Sequence, residues 1–173
     1  MNSTLLEIFY NTKDWLKFAE AKNAMLIAFN GASIYGVAQL FDIDFFDESK
    51  FWTVYLTAVI LFLVVSTITC LTSFVPRLRF LYLSIVPEKM EDNIFFFENL
   101  KDMSEEKILK CLTEKGASDT FTEIDKDLAN QIQSLAKVAS TKYSLFLVAV
   151  WITVIAYASP VVAFILWLYN HNK

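Results

Sequence analysis

The side chains that most often carry catalysis or bind metals are sparse in this chain. It has one histidine, two cysteines and three glycines among 173 residues. These residues offer no zinc-ligand spacing, no histidine-dependent triad and no glycine-rich phosphate loop. Cys70 and Cys111 lie in segments that are not expected to meet, and His171 is the lone histidine. We therefore expect no enzymatic activity, no metal and no cofactor.

Two amides occupy places where their chemistry matters more. Asn23 and Asn30 lie in or beside an apolar stretch and are seven residues apart. On a helix that turns about 100° per residue they nearly superimpose. An amide that faced lipid would lack partners, so Asn30 should point at protein or water. A hydrogen bond between helices and a place in a water-lined path both fit Asn30.

Small and hydroxyl-bearing residues recur at helical spacing. The first apolar stretch has a row at every fourth position: Ala24, Ala28, Ala32 and Gly36. The last stretch has a row at every seventh position: Ala149, Ala156 and Ala163. Such rows let membrane helices approach closely, so we expect self-association into a homo-oligomer. One face of the middle stretch carries four further residues: Ser66, Thr69, Cys70 and Ser73. We expect their hydroxyls to bond back to the preceding helical turn.

Three apolar stretches must position these groups. Hydrophobic residues make up 55% of the chain, and residues 51–75 and 143–169 contain no charge. Each exceeds the roughly 20 residues that a helix needs to cross a bilayer. Residues 24–41 form a shorter and weaker third candidate. A buried helix of a soluble protein is the alternative interpretation.

Basic residues predict the orientation of these spans. Three lysines precede the first span and ten Lys or Arg residues lie between the second and third. The loops on the other side hold Lys50 and Lys173. Because basic residues near span ends stay in the cytoplasm, we expect the N-terminus and residues 76–142 to be cytoplasmic.

Helical patterns continue outside the membrane at both ends. We predict one helix from about residue 4 to residue 40, amphipathic in its first half. A second helix is predicted from Phe121 into the third span. Its expected apolar face is Ile124, Leu128, Ile132, Leu135, Val138 and Ala139. Between the second and third spans, Ser104 is a plausible N-cap and Gly116 a natural helix end.

The predicted fold is therefore an all-α membrane protein with about three transmembrane helices. Its long terminal helices extend into the cytoplasm, and a small mixed segment lies between spans 2 and 3. The predicted boundaries are an amphipathic helix at 1–23, a transmembrane hairpin at 24–75, a cytoplasmic segment at 76–142, span 3 at 143–169 and a tail at 170–173.

Three segments carry a resemblance to a known family. They are "AEAKNAMLIAFNGA", "FFFENLKDMSEEK" and "DLANQIQSLAKVASTKYSLF". In this order they resemble the Pycsar effectors, small bacterial membrane proteins that are found beside nucleotide cyclases in antiphage defence. The shared features are an acidic residue before Lys22 at the first span, an aromatic cluster before a Ser-x-Glu helix, and an Asn-Gln-Ile helix that ends in Lys-Tyr. The likeness covers most of the chain.

The resemblance implies a function. A cyclic nucleotide made during infection would reach the cytoplasmic segment, here the sensor, and the oligomeric membrane part would then disrupt the bacterial inner membrane and arrest growth. A pyrimidine cyclic mononucleotide is the first candidate and a cyclic oligonucleotide the second. A functional link to a nucleotide cyclase follows, whereas nucleic acid is not expected as a partner. The alternative is a membrane scaffold that binds a cytoplasmic protein.

Residues of the sensor segment permit such binding. A cyclic nucleotide needs cations for its phosphate, a flat apolar partner for its base and amides that read the base edge. The candidates are Arg77, Arg79, Phe95, Phe96, Asn99, Asn130 and Gln131. Anchoring at lipid headgroups, core packing and solvated amides are the alternatives for these three classes.

A second group of residues would couple sensor and membrane. We interpret Glu20, Lys22, Asn23 and Asn30 as a joint at the entry to span 1, with Ala28, Ala32 and Gly36 as its packing surface. Replacing Asn30 by Leu should preserve insertion but impair ligand-dependent toxicity.

Overall fold

The computed structural model describes residues 2–42, 50–75, 93–117 and 120–171, and the regular elements in these ranges are all helical. They are α1 (Ser3–Ala38), α2 (Lys50–Thr72), α3 (Phe97–Leu100), α4 (Glu105–Glu114) and α5 (Glu123–His171), with a 3-10 turn at Gln39–Asp42. The predicted all-α class is confirmed. Three helices are long and apolar enough to cross a membrane: Ser3–Asp42, Trp52–Thr72 and Glu123–Ser159.

Local capping explains where the helices begin and end. The Asn2 side chain accepts hydrogen bonds from the backbone N–H groups of Thr4 and Leu5, at 2.9 and 3.2 Å, which satisfies donors that an α-helix leaves free at its start. Ser104 caps α4 as predicted, because its hydroxyl accepts from the backbone N–H of Lys107. Gly116 follows α4 with a φ of 75°, a left-handed conformation that glycine adopts without steric cost.

The chain forms two compact units. The first, called here the head unit, comprises Met1–Lys22 and Pro76–Ser144. The second, called the span unit, comprises Asn23–Val75 and Leu145–Lys173. Helices α1 and α5 each contribute residues to both units.

The head unit has its own hydrophobic core. It is built by α1, α3, α4 and α5, and its fully buried members include Leu5, Ile8, Leu100, Ile108 and Ile132. Burial of such side chains is the main favourable term in folding of a water-exposed domain. This unit therefore has the basis for a folded structure outside the lipid.

The buried face of α5 in the head unit differs from the predicted one. Ile124 and Val138 are 65% and 43% exposed, so their predicted place in the core is wrong. Ile132 and Ala139 are buried as predicted, and Ala129 and Ala136, which were not predicted, are buried beside them. Three of these are alanines, and small side chains let the helices of the unit approach closely. The predicted face was chosen by the hydrophobicity of its residues, whereas the buried face is also selected for small side chains.

The core of the span unit runs along one face of α2. Its buried positions recur every three or four residues and continue to one residue just after the helix end: Trp52, Leu56, Val59, Leu63, Ser66, Cys70 and Ser73. Val59 and Leu63 pack with Ala156 of α5, and Ile34 and Val37 of α1 pack against them. Three helices thus share one interior, and the other faces of α2 expose large apolar side chains, as a lipid-facing surface does.

Candidate functional site

An aromatic cluster packs on the core of the head unit. Phe97 stacks on Tyr143 with 5.1 Å between ring centroids and 18° between planes. Trp15 of α1 contacts Phe97, Tyr143 and Phe96 at 5.5, 6.2 and 6.5 Å. The predicted aromatic triplet therefore serves the core through Phe96 and Phe97, and Tyr143 already occupies the stacking face of Phe97. Phe95, which is 37% exposed, is the member of the triplet most open to solvent.

The head unit also contains two ion pairs with a buried lysine. Lys101 Nζ donates to Glu98 Oε1 and, at 3.2 Å, to Ser140 Oγ. All three side chains are less than a tenth exposed. Lys142 Nζ donates to Glu20 Oε1 at 2.6 Å and so joins α5 to α1. These pairs fix α3 to α5 and α1 to α5 by charge-assisted bonds.

Lys22 contributes a third cation at the end of the head unit. Its Nζ lies 4.7 Å from the ring centroid of Phe18 and 5.3 Å from that of Tyr143. Both distances are within the range of cation–π attraction. Glu20 and Lys22, two members of the predicted joint, therefore each contact a residue of α5.

The candidate base-reading amides lie in different environments. Asn99 is 5% exposed and its Nδ2 donates to the Asn93 carbonyl at 3.1 Å, so this amide holds the turn before α3. Asn130 and Gln131 are exposed on α5. Phe95 lies in the same turn as Asn93, and its carbonyl accepts from Asn11 Nδ2 at 2.8 Å. Asn99 is therefore a buried, structural amide, whereas Asn130 and Gln131 are accessible to a ligand.

The candidate phosphate ligands Arg77 and Arg79 lie outside the described residues. The same holds for the predicted period-two pattern around them. Their proposed contact with a phosphate stays a prediction.

The other polar centre lies in the span unit and includes Asn30. Asn30 Nδ2 donates to Ser66 Oγ at 2.9 Å, and Thr153 Oγ1 donates to Asn30 Oδ1 at 3.1 Å. The Ser66 and Thr153 hydroxyls are 2.8 Å apart, and both lie within hydrogen-bond distance of the Ala149 carbonyl, at 2.8 and 3.0 Å. We call Asn30, Ser66 and Thr153 the polar triad. It joins α1, α2 and α5, so the predicted hydrogen bond between helices is present.

The hydroxyls of α2 divide into two classes. Thr69 bonds back to the carbonyl of Val65 at 2.8 Å, as predicted, and Thr67, which was not among the predicted residues, bonds back to the carbonyl of Leu63 at 2.8 Å. Ser66 bonds across to α1 and α5 instead, so the back-bonding prediction is wrong for it. Sequence reasoning also missed Thr153, which is one of several hydroxyl-bearing residues in span 3. Spacing alone did not place it opposite Asn30.

Two further hydrogen bonds connect the spans. Tyr55 Oη donates to Ser159 Oγ at 2.9 Å, between α2 and α5. Tyr157 Oη donates to Ser33 Oγ, between α5 and α1, and the Tyr157 ring lies 5.6 Å from that of Phe29. Every pair of spans is thus linked by polar side chains.

The small-residue rows do not share one role. Ala149 and Ala156 are fully buried within the chain, so their predicted role in association between chains is wrong. They allow α5 to approach α2, which a larger side chain would prevent. The row on α1 is exposed instead: Ala24, Ala28, Ala32 and Gly36. Asn23 and Asn30, on the other face of α1, are fully buried.

Comparison with known proteins identifies the family. The model of the Pycsar effector protein domain matches residues 4–169, which span both units. No curated protein and no solved structure showed a match. The match extends over nearly the whole chain and agrees with the three long apolar helices. The chain therefore belongs to the Pycsar effector family and is a membrane protein of antiphage defence.

Proposed function

We propose that this effector binds a cyclic nucleotide through its head unit and, in response, disrupts the bacterial inner membrane. The observation that carries the proposal is the match of one family domain to both compact units. The head unit offers a hydrophobic core with charged and amide side chains around it. The span unit offers three helices of membrane-spanning length.

The proposed ligand is a cyclic mononucleotide with a pyrimidine base. Its base would contact Phe95, Asn130 or Gln131, which are exposed, and its phosphate would be held by Arg77 or Arg79. Phe96 and Asn99 would support this surface from the core, because they bind their neighbours through ring contacts and a hydrogen bond. An anionic phosphate favours arginine, whose planar fork donates two bonds at once.

Coupling between the units would follow α1 and α5. Glu20 and Lys22 contact α5 in the head unit, and Asn23 is the first residue of the span unit. A ligand shifts a two-state equilibrium only by its preference for one state. We propose that the bound nucleotide prefers a different arrangement of α1 and α5, and that the residues from Glu20 to Asn30 transmit it.

The remaining parts of the proposal concern assembly and location. The exposed row with Ala28, Ala32 and Gly36 would let copies of α1 approach one another in a homo-oligomer. The N-terminus and residues 76–142 would face the cytoplasm, where a nucleotide cyclase would supply the ligand.

A reconstituted system tests the proposal. Purified protein in vesicles that contain a fluorescent dye receives cyclic UMP, cyclic CMP, cyclic AMP or a cyclic dinucleotide. We expect one of these compounds to bind in calorimetry and to release the dye. The variant Gln131→Ala probes the base contact, and Lys126→Ala, also exposed on α5, is its matched control. Absence of binding and dye release with every compound would contradict the proposal and favour a protein-binding scaffold.

A further inference from the structure

The interior of the span unit is divided into an apolar half and a polar half. Along the buried face of α2, the first four positions are Trp52, Leu56, Val59 and Leu63; they are followed by Ser66, by the small thiol of Cys70 and, just after the helix end, by Ser73. All seven are at most 9% exposed. The change from apolar to polar falls between Leu63 and Ser66, within a single helical turn.

The other two helices each contribute one residue to the polar triad and at least one to the apolar cluster, although the buried positions of α5 before Thr153 in this unit, Leu145 and Ala149, are apolar as well. On α1, Asn30 bonds to Ser66, whereas Ile34 and Val37 pack against the apolar cluster. On α5, Thr153 bonds to Asn30, whereas Ala156 belongs to the apolar cluster. The polar triad therefore lies within one helical turn of Leu63, a member of the apolar cluster, and receives one residue from each of the three helices. We call Val59, Leu63 and Ala156, the buried members of that cluster, the dry layer.

We propose that the polar half of this interior faces water when the span helices separate, and that the dry layer prevents water entry in the resting state. This inference rests on the proposed function, because it names the residues that line the disrupted membrane path. In the resting bundle the triad residues bond to one another, so the Asn30 amide does not meet lipid. Once the helices separate, each of these groups needs a new partner, and within a bilayer only water or protein can supply it.

Energetics favour this division of roles. An amide or hydroxyl that exchanges a protein partner for water loses little free energy. Apolar side chains such as Leu63 gain nothing from water, and apolar constrictions close pores by excluding it. Water in the opened state would therefore lie against the polar half first, and the dry layer would set the barrier. Several copies of the chain would contribute such faces to one path.

The first test needs no ligand. Val59→Thr replaces a methyl group of the dry layer by a hydroxyl without changing side-chain shape. Val65→Thr makes the same change at a 50% exposed position of α2 and is the matched control. In vesicles we expect Val59→Thr to raise basal dye release between about fivefold and a hundredfold, the usual range of two-state couplings. Val65→Thr should release dye at the wild-type rate.

A stronger pair extends this test. Leu63→Asn adds an amide to the dry layer, and Leu61→Asn adds it at a 60% exposed position. Circular dichroism and vesicle flotation test whether each variant is folded and inserted. If Leu63→Asn is not, the conclusion depends on Val59→Thr alone. If Val59→Thr and Val65→Thr release dye at equal basal rates, the dry layer does not prevent water entry, and the inference is wrong.

The second test measures directly whether water reaches the polar half. Cys70 lies one turn from Ser66 and is fully buried, so its thiol should be protected in the resting state. In a Cys111→Ser background, we expect a membrane-impermeant thiol reagent to label Cys70 at least about fivefold faster in the leaking Val59→Thr protein. A protein that leaks while Cys70 stays protected would overturn the inference.

The ligand-dependent arm separates this inference from the proposed function. Thr153→Val should reduce nucleotide-triggered dye release, whereas Thr67→Val, which removes a hydroxyl that bonds within its own helix, should not. If wild-type protein binds and responds to no cyclic nucleotide, the proposed function fails even where Val59→Thr leaks. If wild type responds and Thr153→Val matches Thr67→Val, the role of the polar triad fails alone.

Discussion

The two units bury polar groups in different ways. In the head unit, Lys101 and Glu98 form a buried ion pair, and Lys142 is buried against Glu20. In the described part of the span unit, the buried polar groups are amides and hydroxyls, among them Asn30, Ser66 and Thr153. Neither unit leaves these groups to solvent, yet only the head unit uses charge.

The difference follows from what surrounds each unit. A charge in the middle of a bilayer is costly, whereas a charge near water loses less of its solvation and can be paired. Neutral hydrogen bonds between membrane helices are each weak, about 0.6 kcal/mol on average, but they fix which faces meet. The head unit therefore gains its stability from apolar burial and pairs the charges that it buries, and the span unit gains its specificity from the polar triad.

The largest effect is expected where one partner of the buried ion pair is removed. Lys101→Met leaves Glu98 in the core without its cation, which should cost about 3–5 kcal/mol of head-unit stability. The matched control is Lys110→Met, because Lys110 is 76% exposed and its pair with Glu114 spans 3.9 Å. Such a surface pair contributes about 0–1 kcal/mol. Hydrogen exchange of residues 97–114 measures both.

The double variant Glu98→Leu with Lys101→Met sharpens this prediction. Replacing both charges by apolar groups removes the unpaired carboxylate, so most of the lost protection should return. Equal loss in Lys101→Met and Lys110→Met would show that the head unit does not depend on the buried pair. The comparison between the units would then lose its electrostatic basis.

A slightly smaller effect is expected from deleting a buried leucine in each unit. Leu100 and Leu63 are both fully buried. Leu100→Ala should destabilise the head unit by about 2–5 kcal/mol, through lost transfer free energy and a cavity. Leu63→Ala should cost less, because lipid is as apolar as the protein interior and only packing is lost. Hydrogen exchange of residues 97–114 and 50–75 compares the two, and equal costs would contradict this account.

Much of the helical framework could be predicted from the sequence, because length and lack of charge suffice to identify a span. The start of α1 and the caps at Ser104 and Gly116 depend on local hydrogen bonds and backbone angles, which follow from residue type. The buried face of α5 was harder. Ala129 and Ala136 are buried because they are small, and that choice depends on which helix lies opposite.

The polar triad shows the same limit for the candidate site. Asn30 stood out because an amide in an apolar stretch needs a partner. Its partners Ser66 and Thr153 are 36 and 123 residues away in sequence, so only the tertiary packing of three helices brings them together. For the ligand-binding candidates, residue type indicated the chemistry but not which amide is free: Asn99 is bonded to Asn93, whereas Asn130 is exposed.

Removing one hydroxyl from each unit should give a smaller difference in stability between the units. Ser104→Ala removes the N-cap of α4 and should cost about 0.5–2 kcal/mol of helix stability. Thr67→Val removes a hydroxyl that bonds to the Leu63 carbonyl of its own helix, so almost no loss is expected. Exchange rates of residues 105–114 and 50–75 measure the two changes. A larger loss for Thr67→Val would mean that hydroxyls stabilise the span unit through more than contacts between helices.

A further effect concerns acid and again separates the two units. Asp125 lies in the head unit, well before the uncharged stretch of α5 that begins at residue 143. Hydrogen bonds from the backbone N–H groups of Thr122 and then Asn2, both at 2.9 Å, lower the pKa of Asp125 to about 2. The Thr122 hydroxyl donates a further bond at 2.7 Å. These bonds favour the carboxylate and tie the start of α1 to the start of α5.

Because this pKa is depressed in the folded state, the stabilisation is complete above the ordinary aspartate value near pH 4 and is lost as the pH falls toward about 2. Exchange protection of residues 3–10 should therefore decrease over this interval in the wild type. In Asp125→Asn it should be lower at neutral pH and change less on acidification. Residues 50–75 serve as the internal reference, since the buried polar groups described there are hydroxyls and a thiol, which do not titrate in acid. If the wild type and Asp125→Asn respond identically to acid, the carboxylate does not hold the two helix starts together.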